Sequence, residues 1–101
     1  MESVRILLFK LNEHEESYEE VEINENNSIN EQFKSDDIIF IVDGEHSRVW
    51  IWEGANVNIK MKFLSTQLAS KIRDRYGITY NITSIDEGSE PEELKESLGL
   101  E

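Results

Sequence analysis

Val49-Trp50-Ile51-Trp52 places four large, apolar, β-favouring residues in a row, and this run limits the fold more than any other stretch of the chain. A strand with one wet face alternates, whereas an unbroken apolar run is buried on both faces. Gly54 ends the run. A strand covered on both sides needs one packed element per side. Asn56 to Tyr76 supplies the first, reading as one helix of about six turns, with Gly77 placed behind it as the C′ residue.

The remaining segments have to supply the sheet and the second cover. Val4 to Leu11 reads as a first strand, with Val4, Ile6 and Leu8 on one face and Leu7, Phe9 and Leu11 on the other. Ser17 to Ile23 sets Tyr18, Val21 and Ile23 among Glu19, Glu20 and Glu22, the pattern of a half-exposed edge strand whose glutamates deter edge pairing. Asn24 to Asp37 is a polar loop with Ile29 and Phe33 as inward anchors. Ile38 to Val42 is a second unbroken apolar run, joined through an Asp43-Gly44 turn to Arg48–Trp52 as an antiparallel hairpin. Ile78 to Ile85 alternates as a fifth strand. Ser89-Glu90-Pro91-Glu92 reads as a capping box opening a short helix, buried by Leu94, Leu98 and Leu100 and stopped at Gly99. The order β-β-β-β-α-β-α gives an α+β fold: a five-stranded mixed sheet between one long and one short helix.

Projected at about 100° per residue, the long helix gathers Met61, Leu64, Leu68 and Ile72 on one arc, with Ala69 and Tyr76 at its margin. That arc is the expected buried face. The opposite face carries Ile59, Phe63, Thr66, Gln67, Ser70 and Asp74. Ile59 and Phe63 are large and apolar, they lie at i and i+4, and Lys60 and Lys62 flank them. Either a second element covers them or they form an exposed apolar patch of the kind that marks a partner site.

Charge narrows the partner. The formal net charge is −12, which argues against nucleic acid and anionic membranes, because both are bound by cationic neutralisation. The expected helix carries Lys60, Lys62, Lys71, Arg73 and Arg75 against Asp74 alone, so it is basic on an acidic body. Basic residues late in a helix answer its dipole; Lys60 and Lys62, in the first turns, do not. The asymmetry suits an acidic protein partner. The 101 residues suit one domain spanning 1–101, with no eighteen-residue apolar run, no secretory pattern and no cysteine, so a soluble, cytoplasmic setting is expected.

Little in the chain suggests catalysis. His14 and His46 fall in turns without a spaced partner and read as solvent histidines. No serine sits in a nucleophile elbow and no glycine-rich phosphate loop is present. Asp36-Asp37, at the entrance of a buried strand, could offer oxygen ligands to a hard cation such as calcium, or could simply be a polar strand start. The chain is therefore not expected to be an enzyme, and a hydrolase built on the acidic N-terminal half has only composition in its favour.

Taken in order, Asp37, Ile38 to Ile41, Gly44, Val49 to Gly54 with its Trp-x-Gly ending, the helix to Tyr76, then Ile85, Glu87-Gly88 and Glu90-Pro91 resemble the gelsolin-type repeat of gelsolin, severin and villin. The resemblance covers roughly Phe33 to Leu98, with Val4 to Leu11 fitting the first strand, and implies a single gelsolin-like domain over 1–101. It implies the same sheet between two helices. It also implies actin binding through the outward face of the long helix, with Ile59, Lys60, Lys62, Phe63, Thr66, Gln67, Ser70 and Asp74 as the partner-binding set. The family's calcium site uses a carbonyl before the Asp, the Asp itself and a helix Glu; Asp36 and Asp37 match the first two. The helix Glu falls on Met61, a poor ligand for a hard cation, and only Asp74 matches the acidic position at the actin interface. No cofactor is therefore expected, and any calcium should bind weakly. The alternative implied by the same fold is a non-actin interaction or scaffold module, as in vesicle-coat proteins.

Overall fold

A computed structural model describes residues 6–22 and 29–99. Five strands form one sheet: β1 (Ile6–Asn12), β2 (Ser17–Val21), β3 (Ile38–Asp43), β4 (Arg48–Glu53) and β5 (Asn81–Asp86). Two helices accompany it, α1 (Ile59–Tyr76) and α2 (Glu92–Leu98). The strand order is β2-β1-β3-β4-β5. Every neighbouring pair is antiparallel except β4 and β5, which run parallel. Parallel neighbours cannot be joined by a tight turn, and α1 is the crossover between them. The fold is the expected α+β arrangement of a mixed sheet with one long and one short helix.

The unbroken apolar runs occupy the middle of the sheet. All of β3 is buried, as is β4 from Val49 to Trp52. Because side chains alternate across a strand, each run feeds two cores. On the α1 side, Phe9, Leu11, Ile38, Phe40, Val42, Val49 and Ile51 pack with Met61, Leu68, Ala69 and Ile72. On the other side, Leu8, Ile39, Ile41, Trp50 and Trp52 pack with Leu94 and Leu98 of α2. Ile29 and Phe33 close over this second core as expected, and the Phe33 ring meets Trp52 edge-on with centroids 5.0 Å apart. A short 3-10 turn, Asn30–Gln32, within the expected loop carries them there. β2 and β5 are the edge strands, and β2 has Glu19 and Glu20 exposed.

Element ends differ from the sequence reading for identifiable reasons. α1 starts at Ile59, not Asn56, because the residues before it are bonded elsewhere. Ala55 N–H donates to Glu87 Oε1 (2.7 Å) and Asn56 N–H to the Ser35 carbonyl (2.9 Å). Asn58 is the N-cap, accepting from Met61 N–H at 2.8 Å. Gly77 is not in the left-handed region; its backbone is extended (φ 177°), and a Cβ there would lie 2.4 Å from the Tyr80 ring. Close approach, not helix-ending geometry, is what requires glycine. β5 starts at Asn81 rather than Ile78, because Gly77–Tyr80 closes a turn through Tyr80 N–H to Gly77 carbonyl (2.9 Å). The capping box does not form. Pro91, not Ser89, is the N-cap of α2 and makes no side-chain bond; Glu90 before it accepts from the indole Nε1–H of Trp52 at 2.7 Å. β2 stops at Val21. Val4, Ile23 and Leu100 lie outside the described residues.

Candidate partner-binding site

α1 has a dry face and an outward face, and the division is close to the expected one. Met61, Leu68, Ala69 and Ile72 are buried. Leu64 is only half-buried, and Ser65 is buried instead, its hydroxyl donating to the Lys62 carbonyl at 2.7 Å. That bond is what lets a polar residue face the core. Lys60, Lys62, Phe63, Thr66, Gln67 and Asp74 are exposed, together with Ile59; Ser70 is half-buried. The N-terminal end carries the decisive feature: Ile59 is 84% and Phe63 65% exposed. No element of the described chain covers them.

The charges around this face are partly committed. Lys62 Nζ lies 3.9 Å from Glu53 Oε1. Burial pushes the Glu53 carboxyl up from its ordinary value, Lys62 pulls it back, and neighbouring Asp86 adds to the rise. Lys60 makes no ion pair among the described residues and faces solvent. Asp74 is held by the adjacent Arg73 guanidinium at 3.4 Å, so the acidic position on this face is already neutralised.

The Asp36-Asp37 pair lines an open cleft of about 360 Å³ with Lys10, Asn12, Glu19 and Met61. Each carboxylate already has a partner from this chain. Asn56 Nδ2 donates to Asp36 Oδ1 (3.1 Å), and the Lys10 ammonium stands 3.7 Å from Asp37 Oδ2. Glu13 lines the cleft as well, and Met61 closes it from α1 with a thioether, a poor ligand for a hard cation. Lys10 was not singled out in the sequence, although it interrupts the otherwise apolar run from Ile6 to Leu11.

His46 departs from the sequence reading; His14 is exposed as expected. His46 Nδ1 is 2.8 Å from Oδ2 of Asp43, which is fully buried. The same oxygen accepts from Ser97 Oγ of α2 (3.0 Å) and from Trp50 Nε1 (3.3 Å). Burial alone would push the Asp43 carboxyl up, but the hydrogen bonds from His46, Trp50 and Ser97 outweigh it and hold it below the usual range. The bond to Asp43 raises the His46 imidazole, burial opposes this, and Glu93 and Glu45 add to the rise. The trio is not a nucleophilic relay. Ser97 and Asp43 share the Nδ1 side of the ring, whereas a relay needs the serine on the opposite nitrogen, and Nε2 faces Glu93 at 3.9 Å.

No protein-family model matches the chain, and no curated protein matches its sequence. Solved structures do share its fold, which is gelsolin-like. A Thorarchaeota ProGel, crystallised in complex with rabbit actin, superposes with a TM-score of 0.79 at 22% identity, over 94% of this chain and 100% of that one. A Thorarchaeota 2DGel3, also crystallised with rabbit actin, gives a TM-score of 0.73 at 27% identity over 97% of this chain. The chain spans about half of 2DGel3, covering 47% of it.

Proposed function

We propose that this chain binds actin through the outward face of α1, as a non-enzymatic regulator of actin assembly working in the cytoplasm. One observation carries the reading: Ile59 and Phe63 stand 84% and 65% exposed at i and i+4, on a helix whose opposite side is buried against the sheet. Exposing two such side chains forgoes roughly 1.5–3 kcal/mol each relative to burial, which an apolar cleft on a partner recovers. Lys60 beside them favours an acidic partner. The two proteins of similar fold were each crystallised with rabbit actin, and that directs the proposal to actin rather than to another acidic surface. One domain offers one such face, which suits binding a monomer or blocking filament growth.

Binding is proposed to be independent of calcium. Lys10 supplies Asp37 with a positive charge from within the chain, and Met61 lines the same cleft without an oxygen to offer. Titration of wild-type protein and Phe63→Ala into labelled actin, with calcium and with chelator, tests both statements. Wild type should bind equally in the two conditions, and Phe63→Ala should bind more than about tenfold more weakly, the loss typical of a truncated anchor, with an unchanged thermal midpoint. Lys60→Glu should slow association, most at low salt; it is a cleaner test than Lys62, whose reversal also disturbs Glu53. No binding by the wild type, or full binding by a stable Phe63→Ala, returns the fold to a scaffold role with another partner.

A further inference from the structure

Beyond the ends of α1 the described chain exposes one more large aliphatic residue. Ile78 is 75% exposed, in the turn that follows the helix. A turn corner usually carries Pro, Asp, Asn or Ser, and a β-branched apolar residue gains nothing there from the fold itself. The turn is built rather than slack. Gly77 N–H caps the helix through the Arg73 carbonyl at 2.8 Å, and Tyr80 N–H closes onto Gly77. The Tyr80 ring lies so close to Gly77 that no Cβ fits between them, and Tyr80 itself packs against the α1-side core. A rigid bracket thus holds Ile78 out of the core. Tyr76, two residues earlier, is 37% exposed and carries the Arg75 guanidinium over its ring at 5.5 Å.

The two ends of α1 therefore repeat one pattern. Ile59 and Phe63 stand among Lys60 and Lys62; Ile78 follows Lys71, Arg73 and Arg75 in the chain, while the Tyr76 ring leans on Phe9 and Arg75 donates to the Tyr18 hydroxyl. Eighteen helical residues separate the ends by about 27 Å. We propose that Ile78 is a second anchor on actin, so that the helix is gripped at both ends and its length sets the spacing of two apolar contacts on one acidic surface. This rests on the proposed function above and adds a residue and a geometry to it. The basic residues at both ends favour an acidic protein. The acidic body of the chain, net −12 overall, disfavours an anionic membrane as the occupant.

The test is a cycle on the full chain: Phe63→Ala, Ile78→Ala, Ile78→Asp and the double alanine variant, each titrated into actin after its thermal midpoint has been shown unchanged. Ile78→Ala should weaken binding about three- to tenfold and Ile78→Asp more, and the double variant should show the product of the two alanine losses, because sites this far apart act independently. Retained affinity in Ile78→Asp alongside a weakened Phe63→Ala overturns the second anchor and leaves the first standing. Full affinity in every variant overturns both. Two further readouts separate other occupants. If Ile78→Asp abolishes binding to phosphatidylserine vesicles, or dissociates a dimer in sedimentation, while actin affinity is untouched, Ile78 belongs to a membrane or to a second copy and the proposal fails.

Discussion

The two sides of the sheet are held by different physics. On the α1 side the cover is a long helix, and the contact is almost wholly apolar, from Phe9 and Phe40 to Leu68 and Ile72. On the α2 side the cover is a seven-residue helix with two buried leucines, Leu94 and Leu98. So short a helix is marginal by itself. Here both tryptophans of β4 are tied to carboxylates, Trp50 to Asp43 and Trp52 to Glu90, and Ser97 and His46 complete the attachment. Burying an indole N–H without a partner is costly, so these carboxylates are what allow two tryptophans into one core. The comparison also explains where an interface can be placed. A helix secured by apolar packing along one face leaves its outer face free of structural duties, whereas α2 uses its polar residues to stay attached.

The largest effect expected from this contrast is at Asp43. Replacing it with Ala strands Trp50 Nε1 in the core and leaves Ser97 Oγ and His46 Nδ1 with only each other. Leaving the buried indole donor unpaired costs about 1–3 kcal/mol, so Asp43→Ala should lose at least about that much in urea unfolding, the rest of the loss coming from the Ser97 tie between β3 and α2. Phe63→Ala, on the outer face of α1, should lose almost none. Equal losses at the two positions would erase the distinction between the sides. A smaller effect is expected from Trp52→Phe, which removes the donor to Glu90 while keeping most of the ring; about 2 kcal/mol fits a bond to a charged group. Hydrogen exchange should quicken in α2, at the Leu94 and Lys95 amides that close its first turn, and not in α1. Faster exchange in both helices would show that the sheet transmits the damage and that the sides are not independent.

Much of this was legible in the residues because it followed from periodicity. Unbroken apolar runs at Ile38–Val42 and Val49–Trp52 mark central strands, and the 3.6-residue stripe of α1 leaves Ile59 and Phe63 outside. What periodicity does not carry is pairing across distance. Nothing near Ser97 in sequence points to Asp43, and nothing near Lys10 points to Asp37, so the polar attachment of α2 and the cation beside the Asp36-Asp37 cleft were not legible. Ile78 was misread for a related reason. Alternation through Tyr80 and Ile82 extends naturally back to it, and only the contact between Gly77 and the Tyr80 ring shows that the chain turns there instead. The expected capping box of Ser89 and Glu92 fails because α2 begins later than the pattern suggests, with Pro91 as its N-cap.

The smallest expected effect is the pH dependence of the α2 attachment. The His46 imidazole titrates above its ordinary 6.5, held up chiefly by the bond to Asp43. Its contribution to stability is therefore complete below pH 6.5 and is lost as pH climbs through the raised folded value. Asp43 titrates below its ordinary 3.8, so its contribution is complete above 3.8 and is lost as pH falls through the lowered value. Between the two, roughly from pH 4 to 6.5, both charges are in place and α2 is held most firmly. The groups facing the imidazole are Asp43 from β3, Glu45 from the turn, and Glu93 and Ser97 from α2. Thermal midpoints of wild type and His46→Gln, compared from pH 6 to 9, isolate the effect, because exposed His14 and the overall negative charge act equally in both proteins. The wild-type advantage should shrink as pH rises and then level off, by less than the loss from Trp52→Phe. Parallel curves would mean that His46 joins the cluster without its charge contributing, leaving Asp43, Trp50 and Ser97 to hold α2.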